Sequence, residues 1–467
     1  MEILKKHHLL VKITLLLSSC IPTLAQKNLT LTEAVQTAVS NYGTIKAKAS
    51  YASASKVSIE QARRDYLPNV NLAGQMDYGT VNGQNGPLYG FGGLGVASSG
   101  LPLPKENWNA AFGAMYLTNV NWDFYAFGRA KEKINTATAV AYRDEKDWQQ
   151  EIFQHQIRVA AAYLNLLTAQ RLTASYQKNL SRAETFRSVV VTRAKNELIA
   201  GVDSSQANAE ISNVKITLTK ALDFQQEQAN ILARLLGIPA QEFILDTLFV
   251  TKLPALINEE GQATVQQHPT LQFYRSRINL SDGQAKYYRT LAFPTLSLVG
   301  VLQTRGSGFS NTYAQDQTAF THNFFEGIKP TRTNYLLGVG ITWNLTQRLR
   351  ISQQVKSQLL ISKGLQEEYD LANQQLEAQL QLSDTKIKNA LAIYREVPIQ
   401  VKAASDAYLQ KTVLYNNGLT NLVDVTQSLY TLIRAETDRE IAYSNIWQAL
   451  LLKAAAEGDF SIFTKNL

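Results

Sequence analysis

Four short segments of this chain alternate apolar and polar residues, and the stretches between them read as helix or loop. In the first, about 69 to 78, Val70, Leu72, Met76 and Tyr78 alternate with Asn69, Asn71, Ala73, Gln75 and Asp77. The second, about 108 to 122, sets Trp108, Ala110, Phe112, Ala114, Tyr116, Thr118, Val120 and Trp122 on one side. A third, about 295 to 304, carries Leu296, Leu298 and Leu302; a fourth, about 334 to 345, carries Tyr335, Leu337, Val339, Ile341, Trp343 and Leu345. Period-two alternation predicts strands with one apolar face and one polar face. Runs of roughly 10 residues suit strands that cross a membrane, apolar toward lipid and polar toward a lumen. A soluble antiparallel sheet with one wet face shows the same pattern. On the membrane reading, Val70, Leu72, Phe112, Tyr116, Leu298, Leu337, Val339 and Ile341 face lipid. Asn69, Asn71, Gln75, Asp77, Asn119, Asn121, Thr342 and Asn344 then face water.

The remaining pattern is helical and unusually long. From Phe127 to about Leu198 there is no proline and only one glycine, Gly128; about 70 helical residues reach about 105 Å. A matching stretch runs from about Gln347 to Asn417, interrupted only by Gly364 and Pro398. Helices of that length need partners along their course, which implies coiled-coil-like packing. Shorter helices are expected at about 30 to 66, 203 to 236, 260 to 291 and 421 to 456, and two of these end to end match one long one.

The chain is also duplicated. The run IEQARRDYLPNVNLAG, ending at Gly74, and the run QAKYYRTLAFPTLSLVG, ending at Gly300, both place a helix directly before a proline and an alternating strand. Each then continues in the same order: a polar loop, a second strand containing Trp, and a very long helix. This divides the chain into residues 26 to 255 and 256 to 458, with 459 to 467 as a C-terminal tail. The strand-joining segments 79 to 107 and 305 to 333 read as long external loops. Four strands do not close a barrel, and open sheet edges are not tolerated in hydrocarbon. Closure therefore requires other copies, and the residues themselves allow two, three or more.

Residues 1 to 25 read as an export signal: Lys5, Lys6 and Lys12 precede or flank the apolar run Ile13 to Leu17, and Thr23-Leu24-Ala25 offers a cleavage site. The alternative is a lipobox, Leu17-Ser18-Ser19-Cys20, with Cys20 lipidated. Cys20 is the chain's one cysteine, so disulfides cannot form within it. The formal charge of +8 falls to +6 once three lysines and Glu2 are removed with the signal. That excess is scattered along helix faces, which argues against a nucleic-acid partner. No nucleophile elbow, paired metal ligands or phosphate loop is present, so neither an enzyme nor a cofactor or metal is expected. His155, His268 and His322 read as ordinary packing or surface residues.

Near the C-terminus the run from Tyr415 to Val425, YNNGLTNLVDV, sets an aromatic residue, then Gly418, then Asp424-Val425 opening a return helix. Residues 196 to 203, NELIAGVD, are its degenerate counterpart. Gly418 suits a helix end needing positive φ, and the acids suit the first turn of the next helix. With the duplicated architecture, this resembles the TolC family of outer-membrane efflux proteins over the whole chain after residue 25. The resemblance implies a mainly helical fold with a membrane β-barrel: a homotrimer whose chains each give four strands to a 12-stranded barrel in outer-membrane lipid, joined to a helical barrel in the periplasm. It also implies a tip opened by a periplasmic membrane-fusion adaptor protein and an inner-membrane pump of RND or ABC type, in multidrug efflux or type I protein secretion. The class it is weighed against is a periplasmic coiled-coil adaptor or tether. Carried over by position, Asp203, Tyr415, Gly418, Thr420, Asp424 and Gln427 fall at the gate. Some members have a basic residue in place of Thr420 and an Asp in place of Gln427, so the family's charge network is not fully present here. Three copies of Asp424 around an axis would favour cations.

Overall fold

The computed structural model describes residues 28–83, 100–254 and 265–465. The expected signal and Cys20 lie outside the described residues, as does most of the first inter-strand loop. In chain order the elements are α1 (Leu31–Asn41), α2 (Gly43–Arg64), β1 (Asn69–Thr80), β2 (Ala110–Tyr125), α3 (Arg129–Lys195), α4 (Gly201–Leu236) and α5 (Leu248–Thr251). A 3-10 turn at Val265–Gln267 leads into α6 (Pro269–Thr290), β3 (Thr295–Ser307), α7 (Phe324–Ile328), β4 (Arg332–Thr342), α8 (Gln347–Asn416), α9 (Leu422–Glu457) and α10 (Ser461–Thr464). The two long helices are present, at 67 and 70 residues. Pro398 lies inside α8 without ending it.

Several boundaries differ from the sequence expectation, each for a local reason. The helix expected over 30 to 66 is two: Tyr42 leaves the helical region at φ −65°, ψ 121°, and its ring stacks on His155 at 3.8 Å. At its other end α1 is fixed by a capping box, Thr30 Oγ1 accepting from the Glu33 amide and the Glu33 carboxylate from the Thr30 amide. The helix expected from 260 begins at Pro269, whose missing N–H costs nothing in a first turn. The C-terminal tail is not free, since Phe463 is fully buried.

The chain divides into two compact units. One comprises Met1–Tyr51, Glu145–Arg275 and Glu367–Leu467. Its core gathers Leu31, Val35 and Ala38 from α1, Val159, Tyr163 and Leu166 from α3, Leu232 and Leu236 from α4, Leu245 and Phe249, and Trp447 and Leu450 from α9. Phe249, Trp447 and Phe463 form an aromatic knot with centroids 4.9 to 6.2 Å apart. Tyr163 stitches the linker to this core, donating to the Leu29 carbonyl at 2.8 Å and accepting from the Asp246 amide at 3.1 Å. His155 and His268 are both buried here; their ring Nε2 atoms lie 2.9 Å and 3.0 Å from the Leu235 and Ala455 carbonyls. They are packing residues, and among the described residues no group of side chains is arranged to hold a metal ion.

The other unit, Ala52–Asp144 and Ser276–Gln366, holds the sheet. Its order is β1-β2-β3-β4, antiparallel at every step. Directly opposed residues share a face, and the register sets Val70 against Val120, Tyr78 against Phe112, Trp122 against Leu298, and Leu298 against Val339. All eight expected lipid-facing residues therefore lie on one face. The opposite face carries Asn69, Asn71, Gln75, Asp77, Asn119, Asn121, Gln303 and Asn334, as the alternation demands. The ladder between β2 and β3 shifts register between Trp122 and Tyr125, a bulge that bends the strand end. β2 starts at Ala110 and leaves Trp108 outside it, exposed. β4 stops at Thr342, so Trp343, Asn344 and Leu345 are not strand residues. Asn344 instead accepts from the Gln347 amide at 3.1 Å and opens α8. β1 and β4 each have one strand partner among the described residues, so two edges stand open.

Candidate functional site

The residues singled out near the C-terminus lie in and beside the turn between α8 and α9, and Asp203 in the first turn of α4, all within the first unit. The two turns close alike. Gly418 donates its N–H to Tyr415 O at 3.0 Å and Leu419 donates to Leu414 O at 2.9 Å; Glu197 donates to Ala194 O at 3.1 Å and Leu198 to Arg193 O at 2.9 Å. Both pivot residues are left-handed, Gly418 at φ 72° and Glu197 at φ 57°. The repeat is thus preserved in backbone geometry where its sequence has diverged, and the first turn puts a glutamate where a glycine is favoured.

In the second turn two side chains converge on one carboxylate, and a third caps the helix that carries it. Asn421 caps α9, its Oδ1 accepting from the Asp424 amide at 2.9 Å. Asp424 Oδ2 accepts from Thr420 Oγ1 at 2.7 Å and from Lys411 Nζ at 3.0 Å. The Thr420 hydroxyl, then the Lys411 ammonium, hold the Asp424 carboxyl below the usual aspartate range. Nothing in the sequence marks Lys411, a helical lysine before the turn, as the partner of Asp424. In the first turn the place of Lys411 is taken by Val190, fully buried, and that of the Asn421 cap by Ala200, which makes no side-chain cap.

Tyr415 is 4 % exposed and packs with Val190, Ala207, Leu422 and Val425, its ring 5.6 Å from Phe186. Arg193 of α3 lies over that ring at 5.5 Å and donates to the Tyr415 and Asn416 carbonyls, each at 3.1 Å. It caps the end of α8 and ties the two hairpins together. Burial raises the Tyr415 phenol above its ordinary pKa; the neighbouring Asp203 carboxylate adds to that, and Arg193 opposes it. No hydrogen bond closes on the phenol oxygen by geometry, so Asp203 is a neighbour and not a clamp. Gln427 is exposed on α9, and its side chain is not gathered with the others. The structure brings together Tyr415, Gly418, Thr420 and Asp424, sets Asp203 beside Tyr415, and adds Lys411 and Arg193.

Among the described residues the chain thus runs through a helix–strand–strand–helix order twice, with two open sheet edges and paired hairpin turns. No protein-family model matches the sequence, and comparison with curated proteins gives no match. Solved structures do match. The outer-membrane protein VceC of Vibrio cholerae aligns with a TM-score of 0.72 at 16% identity, covering 92% of this chain and 96% of that one. The outer-membrane channel CmeC of Campylobacter jejuni aligns at 0.72 and 13% identity, over 92% and 85%. The open state of the Neisseria gonorrhoeae outer-membrane channel MtrE aligns at 0.69 and 15% identity, over 92% and 89%. At these identities the likeness is one of fold, and the fold of this chain is that of these channels. The mainly helical architecture with four strands per chain, implied by the sequence resemblance, is the one observed.

Proposed function

We propose that the chain is one protomer of a homotrimeric outer-membrane channel, the exit duct of a tripartite efflux pump. Three copies complete a 12-stranded barrel in lipid, and the helices line a tunnel in the periplasm. The observation that carries this reading is the sheet: its register places Val70, Val120, Trp122, Leu298, Leu337 and Val339 from four strands on one face, while β1 and β4 keep unpaired edges among the described residues. Such edges cannot stand in hydrocarbon and are completed by sister chains. A periplasmic coiled-coil tether has no use for that face. Val70, Leu72, Leu298, Leu337, Val339 and Ile341 stand open on it and are the lipid contacts.

The hairpin turns are the gate. Asp203, Tyr415, Gly418, Thr420, Asp424 and Gln427 are its residues, joined by Lys411 and Arg193. In the arrangement described, Asp424 is already engaged by Lys411 and Thr420, so the closed gate rests on a latch within one hairpin, and its cation preference is moderated by the lysine. A periplasmic adaptor docking on the hairpins, with an RND or ABC pump behind it, releases the latch. The same duct serves type I protein secretion if the pump is of that kind. The chain works as a conduit and not as an enzyme.

The test is extraction and conductance. The protein should require detergent, migrate as a heat-sensitive trimer, and form pores in planar bilayers. Recovery of a freely soluble monomer from the periplasm would end the proposal.

A further inference from the structure

The second inter-strand segment reads from the sequence as an external loop, but it does not extend away from the sheet. It folds back across the apolar face. Gly308 donates to the Phe112 carbonyl at 2.8 Å, and Tyr116 Oη donates to the Ile328 carbonyl at 3.2 Å. The crossing is close enough to require glycine on both sides. A Cβ on Gly327 would meet Phe112 Cβ at 2.6 Å, and one on Gly306 would meet the Lys329 carbonyl at 2.6 Å. Asn323 caps the short α7, its Oδ1 accepting from the Glu326 amide at 3.2 Å. The Phe324 ring stands edge-on to Phe112 at 5.1 Å, and Phe112 in turn lies 4.6 Å from Tyr78. Phe112 and Tyr116 are thereby half-buried, while the next residue outward, Phe325, is 76 % exposed.

We propose that residues 323–329 form an interfacial foot that seats Phe325 at the headgroup boundary of the outer leaflet. The proposal rests on the reading of the apolar face as lipid-facing. The argument for lipid as the occupant is continuity: the foot lies on the loop end of that face, and Leu72 and Leu337, 80 % and 75 % exposed, extend the same apolar surface away from it. Its composition is that of an interface, with aromatic rings turned to the apolar side and the charged Glu326 and Lys329 exposed beside them. A loop serving only the aqueous side has no reason to expose a phenylalanine on the wall of the sheet. Neighbouring copies attach at β1 and β4, whereas α7 rests on β2 and β3.

Spin labelling tests this directly, because Cys20 is the chain's one cysteine. In a Cys20→Ala background, Phe325→Cys, Leu337→Cys and Asn334→Cys are labelled singly and the full-length trimers reconstituted in phospholipid vesicles. Accessibility to oxygen, which concentrates in the bilayer, is compared with accessibility to a water-soluble nickel chelate. The expected ratio of oxygen to nickel is several-fold higher at Phe325→Cys than at Asn334→Cys, on the polar face, and lower than at the deeper Leu337→Cys. A Phe325→Cys label as nickel-accessible as Asn334→Cys, with Leu337→Cys still in lipid, overturns the foot and leaves the barrel standing. A label shielded from both reagents means that protein covers the site, and also overturns it. An aqueous Leu337→Cys removes the lipid-facing reading and the foot together.

Discussion

Trp343 donates its indole N–H to the Ala292 carbonyl at 3.2 Å, and in the other repeat Trp122 donates to the Tyr66 carbonyl at 2.8 Å. Each acceptor stands two residues before a proline, Pro294 or Pro68, at the point where a helix hands over to a strand. A proline has no N–H and biases the residue before it away from helix, so the carbonyls of Tyr66 and Ala292, in the turn after each helix, have no regular helical donor. Trp122 within β2 and Trp343 just beyond β4 each supply one. Trp122→Phe and Trp343→Phe should each lower stability by about 1 kcal/mol, the worth of one such bond. Thermal unfolding of the detergent-solubilised protein is the measurement, and an unchanged midpoint in both variants would show the bonds to be incidental.

The two left-handed pivots predict opposite signs for opposite exchanges. A non-glycine residue at positive φ is strained by about 1 to 2 kcal/mol, and Glu197 carries that strain while Gly418 does not. Glu197→Gly should stabilise the protein by up to about 1 kcal/mol, part of the relief being lost to backbone entropy. Gly418→Ala should destabilise it by a similar amount. The denaturant midpoints of the two variants should move apart around wild type.

The caps give a further asymmetric pair. Asn421 caps α9, and Ala200 leaves α4 without a side-chain cap. Ala200→Asn should gain and Asn421→Ala should lose about 1 kcal/mol each, read in the same denaturation assay.

On the proposed gate, Lys411→Met and Asp424→Asn should raise the closed-state conductance similarly, and the double variant should add little to either single one, because all three break one contact. The pH dependence follows from the depressed Asp424 carboxyl. Its contribution is complete above the ordinary aspartate value of 3.8 and is lost as pH falls through the lower folded value. Conductance should therefore stay flat on acidification until below pH 3.8 and then rise, with that rise absent from Asp424→Asn. An additive double variant would separate the two residues.

Burial depresses the pKa of both His155 and His268, with the Arg158 guanidinium adding to the effect at His155. Each therefore holds a proton less tightly when folded than when unfolded. Their neutral burial costs nothing above the ordinary histidine value of 6.5, and stability falls as pH drops below it. In unfolding curves between pH 7 and pH 5, His155→Gln should weaken that slope, though it also loses the stacking on Tyr42. A slope identical to wild type would place the effect elsewhere.

The strands and their faces were legible because alternation encodes them residue by residue: Val70, Leu298 and Val339 ended on one face as the pattern required. The long helices were legible from the lack of breakers, and the boundary errors came from contacts no local pattern carries. Tyr42 divides a helix because a histidine more than a hundred residues away offers its ring, and Asn344 leaves the strand to start α8. At the turn, Gly418 and Asp424 announce themselves by type and place. Lys411 and Arg193 do not, because a cation on a long polar helix resembles its neighbours until the hairpin register shows what it faces. The folded-back loop was hidden for the same reason, since Gly306 and Gly327 look like ordinary loop glycines until the strand beneath them is seen.

The core of the first unit joins Leu31 and Phe463, more than four hundred residues apart in sequence. That core cannot be assembled until residue 463 has been made, because the aromatic knot lacks a member until then. Contacts this distant in sequence make folding slow.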